Sequence, residues 1–259
     1  MKLQILVAAM HKSSRELIDE MHLDSDAIMI NQADTFAYEE FEDKGNQMKY
    51  YSLKERGVGL SRNNALLRAD ADILLFADED IVYEEGYKDK VLKAFEEHPK
   101  ADMIMFNVQA SEGRETYHID SVGKVKWYNS GRYPTYSVAV RREKVHKANV
   151  TFSLLFGGGA KYSCGEDSLF IRECLRKGLK AIKVPVSLGA ERARESTWFK
   201  GYTDKFFFDR GVLYAHLYGA LAFAMGARFL LKHKSEMCKE IPLKKAYGLM
   251  LKGIKEGRA

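Results

Sequence analysis

Three consecutive acids, Asp78, Glu79 and Asp80, close the apolar run LLFADED. Like charges this close repel one another and gain nothing from packing, so water or a cation must stabilise them. In an extended chain residues i and i+2 share a side, which predicts that Asp78 and Asp80 converge while Glu79 faces away. Hard divalent ions such as Mg²⁺ and Mn²⁺ take such oxygens and keep other positions for water and phosphate. Taken alone, the triplet fits both a metal-diphosphate site and a solvated strand end.

A second acidic pair, Glu166 and Asp167, follows the glycine run Gly157, Gly158 and Gly159 and precedes the apolar stretch SLFIRECL. Negative charge at a helix N-terminus is favourable by roughly 0.3–1 kcal/mol, which would explain the pair structurally. A carboxylate placed there can also act as a general base on a hydroxyl. The glycines indicate a flexible or closely approached loop, suited to lining an acceptor pocket.

The elements that must hold these acids are legible as alternating apolar runs and helical segments. QILVAA, DAIMIN, MKYYSL and DILLFA read as strands, with SSRELIDEMH and GVGLSRNNALLRA as helices between them, the first capped by Ser13 or Ser14. A helix from 87 to 97, the strand ADMIMFNV, a less regular region to SVAVRREKV, the helix SLFIRECLRKG and the strand LKAIKVPVSL continue the order. Such alternation predicts βαβ units around a largely parallel sheet, with ligands beyond the carboxyl ends of the strands. The triple acid lies at one such end.

GVGLSRNNALLRADADILLFADED and, more than eighty residues on, GEDSLFIRECLRKGLKAIKVP resemble the inverting nucleotide-sugar glycosyltransferases of family 2 over about residues 3 to 200. The combination and its order carry the resemblance. It implies an α/β, GT-A fold: a mixed, mostly parallel sheet flanked by helices. Residues 1–200 would form the catalytic domain and 201–259 a basic, helical C-terminal extension. It further implies that Asp78 and Asp80 flank a Mn²⁺ or Mg²⁺ ion and the nucleotide diphosphate, with Asp80 the direct ligand. Asp167 would be the base, Glu166 a neighbour that orients acceptor or base, Arg62 a residue beside the nucleotide, and Asn63 a shaper of that loop.

Two family elements are altered. The turn after the first strand reads AAMHKSS, leaving the backbone at Ala8 and Ala9 as the donor contact. After the second strand the chain reads Asn31-Gln32-Ala33-Asp34, so Gln32 takes the place of a base-holding acid. A carboxamide can accept from the N3–H of uracil and donate to a carbonyl, so a UDP-sugar remains the favoured donor. In GAERARESTWFKGY, Arg192, Arg194, Ser196 and Thr197 can grip phosphate oxygens or form a solvated charge cluster, and Trp198 can stack on a sugar or anchor the loop.

The wider composition is compatible with this. With 259 residues, 46% of them hydrophobic, the chain can bury a large core. Its 3 cysteines, Cys164, Cys174 and Cys238, show no zinc spacing and read as free thiols in a reducing, cytoplasmic setting. His11, His118 and His216 have no partner at metal spacing and are read as structural. The net charge of +5 resides in the tail, where residues 228–259 hold nine Lys or Arg against three acids.

Residues 212–231 approach the length of a membrane span but contain His216 and Arg228. They are expected to pack on the catalytic domain or to lie at the inner face of a membrane, with residues 212–259 meeting anionic headgroups as a peripheral contact. Nucleic acid is not an expected partner, because aromatic residues are not interleaved with the basic ones.

The expected activity is therefore transfer of a sugar from a nucleotide donor to a hydroxyl of a glycan or lipid-linked acceptor, in surface polysaccharide synthesis. A non-catalytic nucleotide- or glycan-binding module of the same fold is the alternative from another class. A sugar nucleotidyltransferase is disfavoured because AAMHKSS lacks the Gly-rich basic loop such enzymes place after the first strand.

Overall fold

The computed structural model describes residues 1–111, 117–192 and 201–259. In chain order its elements are β1 (Leu3–Met10), α1 (Ser14–Met21), β2 (Asp26–Gln32), β3 (Ala37–Asp43), β4 (Asn46–Leu53), α2 (Val58–Arg68), β5 (Ile73–Asp78), β6 (Ile81–Tyr83) and α3 (Tyr87–Glu97). There follow β7 (Met103–Gln109), β8 (Gly123–Lys124), β9 (Val138–Arg141), α4 (Arg142–Ala148), α5 (Glu166–Arg176), β10 (Ala181–Glu191), α6 (Asp204–Tyr218), α7 (Ala222–Met237) and α8 (Leu243–Glu256).

The strands form one mixed sheet in the order β3-β4-β2-β1-β5-β9-β7-β10-β6, with β8 pairing β10. β4, β2, β1 and β5 run parallel, as do β7 and β10. Between these blocks β9 pairs antiparallel with both β5 and β7, and β3 lies antiparallel on β4. Strand order reverses in sequence around β1, so the carboxyl ends of β1, β2 and β5 open onto one crevice. Ala8, Gln32 and Asp78 all lie at those ends.

Alternation along each strand divides the core between the two faces. Leu3, Ile5, Val7 and Ala9 of β1 pack with Leu17, Ile18 and Met21 of α1 and Val91 and Phe95 of α3. Leu6 joins Ile28, Leu74 and Phe76 on the other face, against Ala65 and Leu66 of α2 and Phe170 and Ile171 of α5. There Phe152 stacks on Phe170 at 4.1 Å, and Phe76 meets both edge-on. This packing fixes the start of α5, where the second acidic pair lies.

Local signals explain several boundaries. Ser13 caps α1 in a reciprocal box with Glu16. Gly57 precedes α2 at φ 122°, a conformation that a side chain would resist. β3, AYEEFED, is a polar and largely exposed edge strand. Its acids blunt an edge that would otherwise template pairing with other chains.

The apolar C-terminal stretch does not form one long helix. α6 ends at Gly219, where φ is 52°, and after a short 3₁₀ turn the chain resumes as α7. Among the described residues no helix is long and apolar enough to cross a membrane. α6, α7 and α8 share a core of Phe207, Leu213, Leu230, Met250 and Ile254, which also takes in Phe156 and Tyr162 from the loop before α5. Gly211 and Gly253 let the α6 and α8 backbones meet, since a Cβ at Gly253 would lie 2.0 Å from the Phe208 carbonyl oxygen.

Candidate active site

The two acidic motifs meet at one buried arginine. Arg62, in the first turns of α2, is only 3% exposed at its side chain. Its Nη2 donates to Asp78 Oδ1 at 2.8 Å, and its Nη1 donates to Asp167 Oδ1 at 2.8 Å and Glu166 Oε1 at 3.1 Å. One guanidinium thus joins the end of β5 to the start of α5. Burial alone would discourage the charge, but the carboxylates of Asp78, Asp167 and Glu166 more than offset it and hold Arg62 firmly protonated.

Each carboxylate has further partners. Asp167 accepts from the Thr135 backbone N–H at 3.2 Å on Oδ2, and the Thr135 hydroxyl donates to Oδ1. Glu166 Oε2 accepts from Gly165 N–H at 3.1 Å. A Cβ at Gly157, where φ is 103°, would stand 2.7 Å from the Glu166 carboxyl carbon, so glycine is required for the loop to close over it. Gly158 accepts from Val58 N–H at 3.0 Å, tying the same loop to the start of α2.

Burial, and then the neighbouring charge of Asp167, push the Glu166 carboxyl up to about 7 from an ordinary 4.5, against the opposing pull of Arg62. Between those two values the folded protein keeps a proton that the unfolded chain has lost, so this group makes stability fall as pH rises from about 4.5 through about 7. Glu166→Gln, which stays neutral, is therefore expected to gain stability relative to the parent at pH 8 compared with pH 5. Urea unfolding at both values checks this, and a difference independent of pH would contradict it.

A cleft of about 170 Å³ opens above the arginine. Ala8, Ala9, Gln32, Arg62, Asp78 and Glu166 line it, joined by Met10, Val58, Glu79 and Gly158. Gln32 Oε1 accepts from Gly57 N–H at 2.7 Å, and because a backbone N–H can only donate, this bond fixes which way the amide points. The amide NH₂ is therefore left to donate to a ligand, while one lone pair of the oxygen is engaged. Asn31 is buried in a network with Tyr50, Ser52 and the Lys12 N–H, holding the turn after β1.

The remaining expected residues lie differently. Asn63 clamps the Phe152 backbone, accepting from its N–H at 2.7 Å and donating to its carbonyl at 2.9 Å, and so shapes the chain under the cleft rather than the cleft wall. β5 ends at Asp78, and Glu79 and Asp80 form a turn, so the extended i, i+2 geometry does not apply. Glu79 lines the cleft, its Oε2 accepting from Met10 N–H at 2.7 Å, and Asp80 is buried, 7% exposed.

Arg192 returns to the same turn: its N–H donates to the Asp80 carbonyl at 2.7 Å and its guanidinium pairs with Glu20 at 2.9 Å. Arg194, Ser196, Thr197 and Trp198 lie outside the described residues. Thr135 was not legible as a site residue, since nothing near it in sequence marks a contact made 32 positions away.

Among the described residues no group of three metal-ligating side chains is assembled. Mg²⁺ and Mn²⁺ need only one or two carboxylates beside phosphate and water. Asp78, with only Oδ1 engaged by Arg62 among the described residues, and Asp80, two residues on in the following turn, are a donor set of that kind. A larger cavity of about 670 Å³ lies at the amino ends of β7 and β10, lined by residues such as Pro99, Lys124 and Leu179, remote from this acid cluster. The charged side chains converge at the smaller cleft.

Comparison with known proteins identifies the fold. Residues 32–157 match the model of Glycosyl transferase family 2. The fold is GT-A. It resembles S. aureus TarS 1-349 in complex with UDP-GlcNAc, at 15% identity and a TM-score of 0.67, covering 98% of this chain and 82% of that one. It also resembles the mannosyltransferase PcManGT from Pyrobaculum calidifontis in complex with GDP-Man and Mn²⁺, at 12% identity and a TM-score of 0.54, covering 99% and 87%. A search of curated proteins finds no match.

Proposed function

From the premise that a family 2 glycosyltransferase segment spans residues 32–157 of a GT-A fold, we propose that the protein is an inverting glycosyltransferase. It moves a sugar from a nucleotide-diphosphate donor, a UDP-sugar in first place, to a hydroxyl of a glycan or lipid-linked acceptor in surface polysaccharide synthesis. The observation that supports this reading is the Arg62 bridge, which joins Asp78 and Glu166 of the cleft wall to Asp167 beside it.

In this reading the nucleotide lies along the carboxyl ends of β1 and β2. The Ala8 and Ala9 backbone lines its path, and Gln32 donates to a carbonyl oxygen of the base, which uracil provides. Asp78 and Asp80 would hold Mn²⁺ or Mg²⁺, which when bound supplies positive charge for the departing diphosphate. Asp167 takes the proton of the acceptor hydroxyl. Arg62 and Thr135 fix the direction its carboxylate points, so the base is oriented before the acceptor arrives. Glu166 orients the acceptor from the cleft wall.

The basic tail would bring the catalytic unit, residues 1–200, to an anionic membrane surface as a peripheral contact through residues 212–259. Support comes from Lys232 and Lys234, both exposed on α7.

Thermal shift against a panel of nucleoside diphosphates, with and without Mn²⁺, tests the reading. UDP with Mn²⁺ is expected to raise Tm most, since a ligand that binds only the folded state stabilises by RT ln(1 + [L]/Kd). Asp80→Ala is expected to erase the Mn²⁺-dependent part of that shift while keeping the metal-free part. A panel with no stabilising nucleotide would refute the donor site, and an Asp80→Ala shift equal to the parent's would remove Asp80 from the metal.

A further inference from the structure

A second cavity, of about 240 Å³, opens between the 128–132 segment and helices α6 and α7. Arg132, Arg228, Lys232 and His233 line it among the rings of Tyr218 and Phe229, and no acid does. Arg228 and Lys232 are exposed and have no carboxylate partner among the described residues. The Arg210 guanidinium lies 5.2 Å from the centroid of Phe206 and 5.3 Å from that of Phe229, and its Nε is buried without a hydrogen-bond partner among the described residues. Arg228 and Lys232, four residues apart on α7, are like charges on one helix face, and an anion between them offsets their repulsion. Guanidinium forks beside an ammonium match a multiply charged tetrahedral oxyanion, and the rings suit the apolar faces of an attached polyol or sugar.

The cavity adjoins the acid cluster along two elements. Gly131 on its wall faces Ser168, whose Oγ would lie 3.5 Å from a Cβ built there, and Ser168 directly follows Asp167. Leu213, next to the lining residue Tyr214, packs where a Cβ at Gly165 would stand 2.5 Å from its methyl carbon, and Gly165 directly precedes Glu166. The cavity wall and its neighbouring residue thus touch Ser168 and Gly165, the residues that flank Glu166 and Asp167.

We propose that this cavity binds a phosphate group of the acceptor, so that the hydroxyl receiving the sugar belongs to a phosphate-bearing molecule. This rests on the glycosyl-transfer reading above. The phosphate can come from a lipid headgroup or from a soluble phosphorylated glycan.

Calorimetric titration of the UDP-saturated full chain with inorganic pyrophosphate is the test, comparing the parent with Arg228→Glu/Lys232→Glu. Both positions are exposed, and an unchanged unfolding midpoint and UDP affinity verify that the variant is folded. The expected result is pyrophosphate affinity lower by about tenfold or more in the variant, with UDP affinity unchanged. Equal pyrophosphate affinity in the two proteins, or no binding to the parent, would overturn the proposal. If neither protein binds UDP and the pyrophosphate difference persists, the donor reading fails and the cavity assignment stands. Displacement of bound pyrophosphate from the parent by phosphatidylglycerol vesicles, and not by phosphatidylcholine ones, identifies a lipid source. Variant-sensitive pyrophosphate binding that neither vesicle displaces identifies a soluble one.

Discussion

Asp167→Asn is expected to lower sugar transfer by about 10²–10⁴-fold, the range that a positioned general base contributes. UDP affinity is expected to change by less than about threefold, because Asp167 is absent from the wall of the donor cleft. The substitution keeps the shape of the side chain and removes the atom that accepts the proton. Its neighbours register the change as well: Asp167 Oδ1 receives two donors, from Arg62 and from the Thr135 hydroxyl, and an amide can satisfy only some of them. Steady-state kinetics beside equilibrium UDP binding separate the outcomes. Turnover near the parent's would remove Asp167 from the proton transfer, and a parallel collapse of UDP binding would make it a structural support.

The largest effect on stability is expected from Arg62→Met. Methionine approximates the length of the buried stem and leaves Asp78, Glu166 and Asp167 facing one another without a cation. Breaking a buried pair by removing one partner costs about 3–5 kcal/mol, because the charge left behind is uncompensated. For a chain of this size that corresponds to a fall in Tm of roughly 6–20 °C.

The deficit has a pH signature. Arg62 opposes the rise at Glu166, so without it the Glu166 carboxyl holds its proton to still higher pH in the folded state, and the loss shrinks as pH falls and Glu166 takes up that proton. Unfolding at pH 5 and pH 8 is the check. A loss below about 1 kcal/mol at both values would mean that the bridge contributes little, as exposed ion pairs do.

The sheet was readable because buried strands are continuous apolar runs, and five of its parallel members carry them: QILVAA, DAIMIN, DILLFA, ADMIMFNV and LKAIKVPVSL. β3 escaped notice since an exposed edge strand has no apolar face to display, and its pairing partner rather than its composition makes it a strand. The antiparallel entry of β9 between β5 and β7 is likewise a fact of topology that local periodicity does not encode.

The site was legible as residue types and only partly as roles. Asp78 and Glu166 line the cleft as their motifs suggest. That Arg62 is the joint between the motifs, instead of a residue beside the nucleotide alone, follows from a contact spanning 105 positions that no spacing rule contains. The extended i, i+2 geometry expected of Asp78 and Asp80 is replaced by a turn, because β5 ends at Asp78, and Glu79 lines the cleft.

Diffraction from crystals soaked with Mn²⁺ and an intact UDP-sugar tests the arrangement most directly. The anomalous signal of the ion is expected between the diphosphate and the Asp78–Asp80 turn, with the anomeric carbon's open face toward Asp167 and Arg62 still bridging the two motifs. An ion bound elsewhere, or a sugar whose open face is turned away from Asp167, would contradict it.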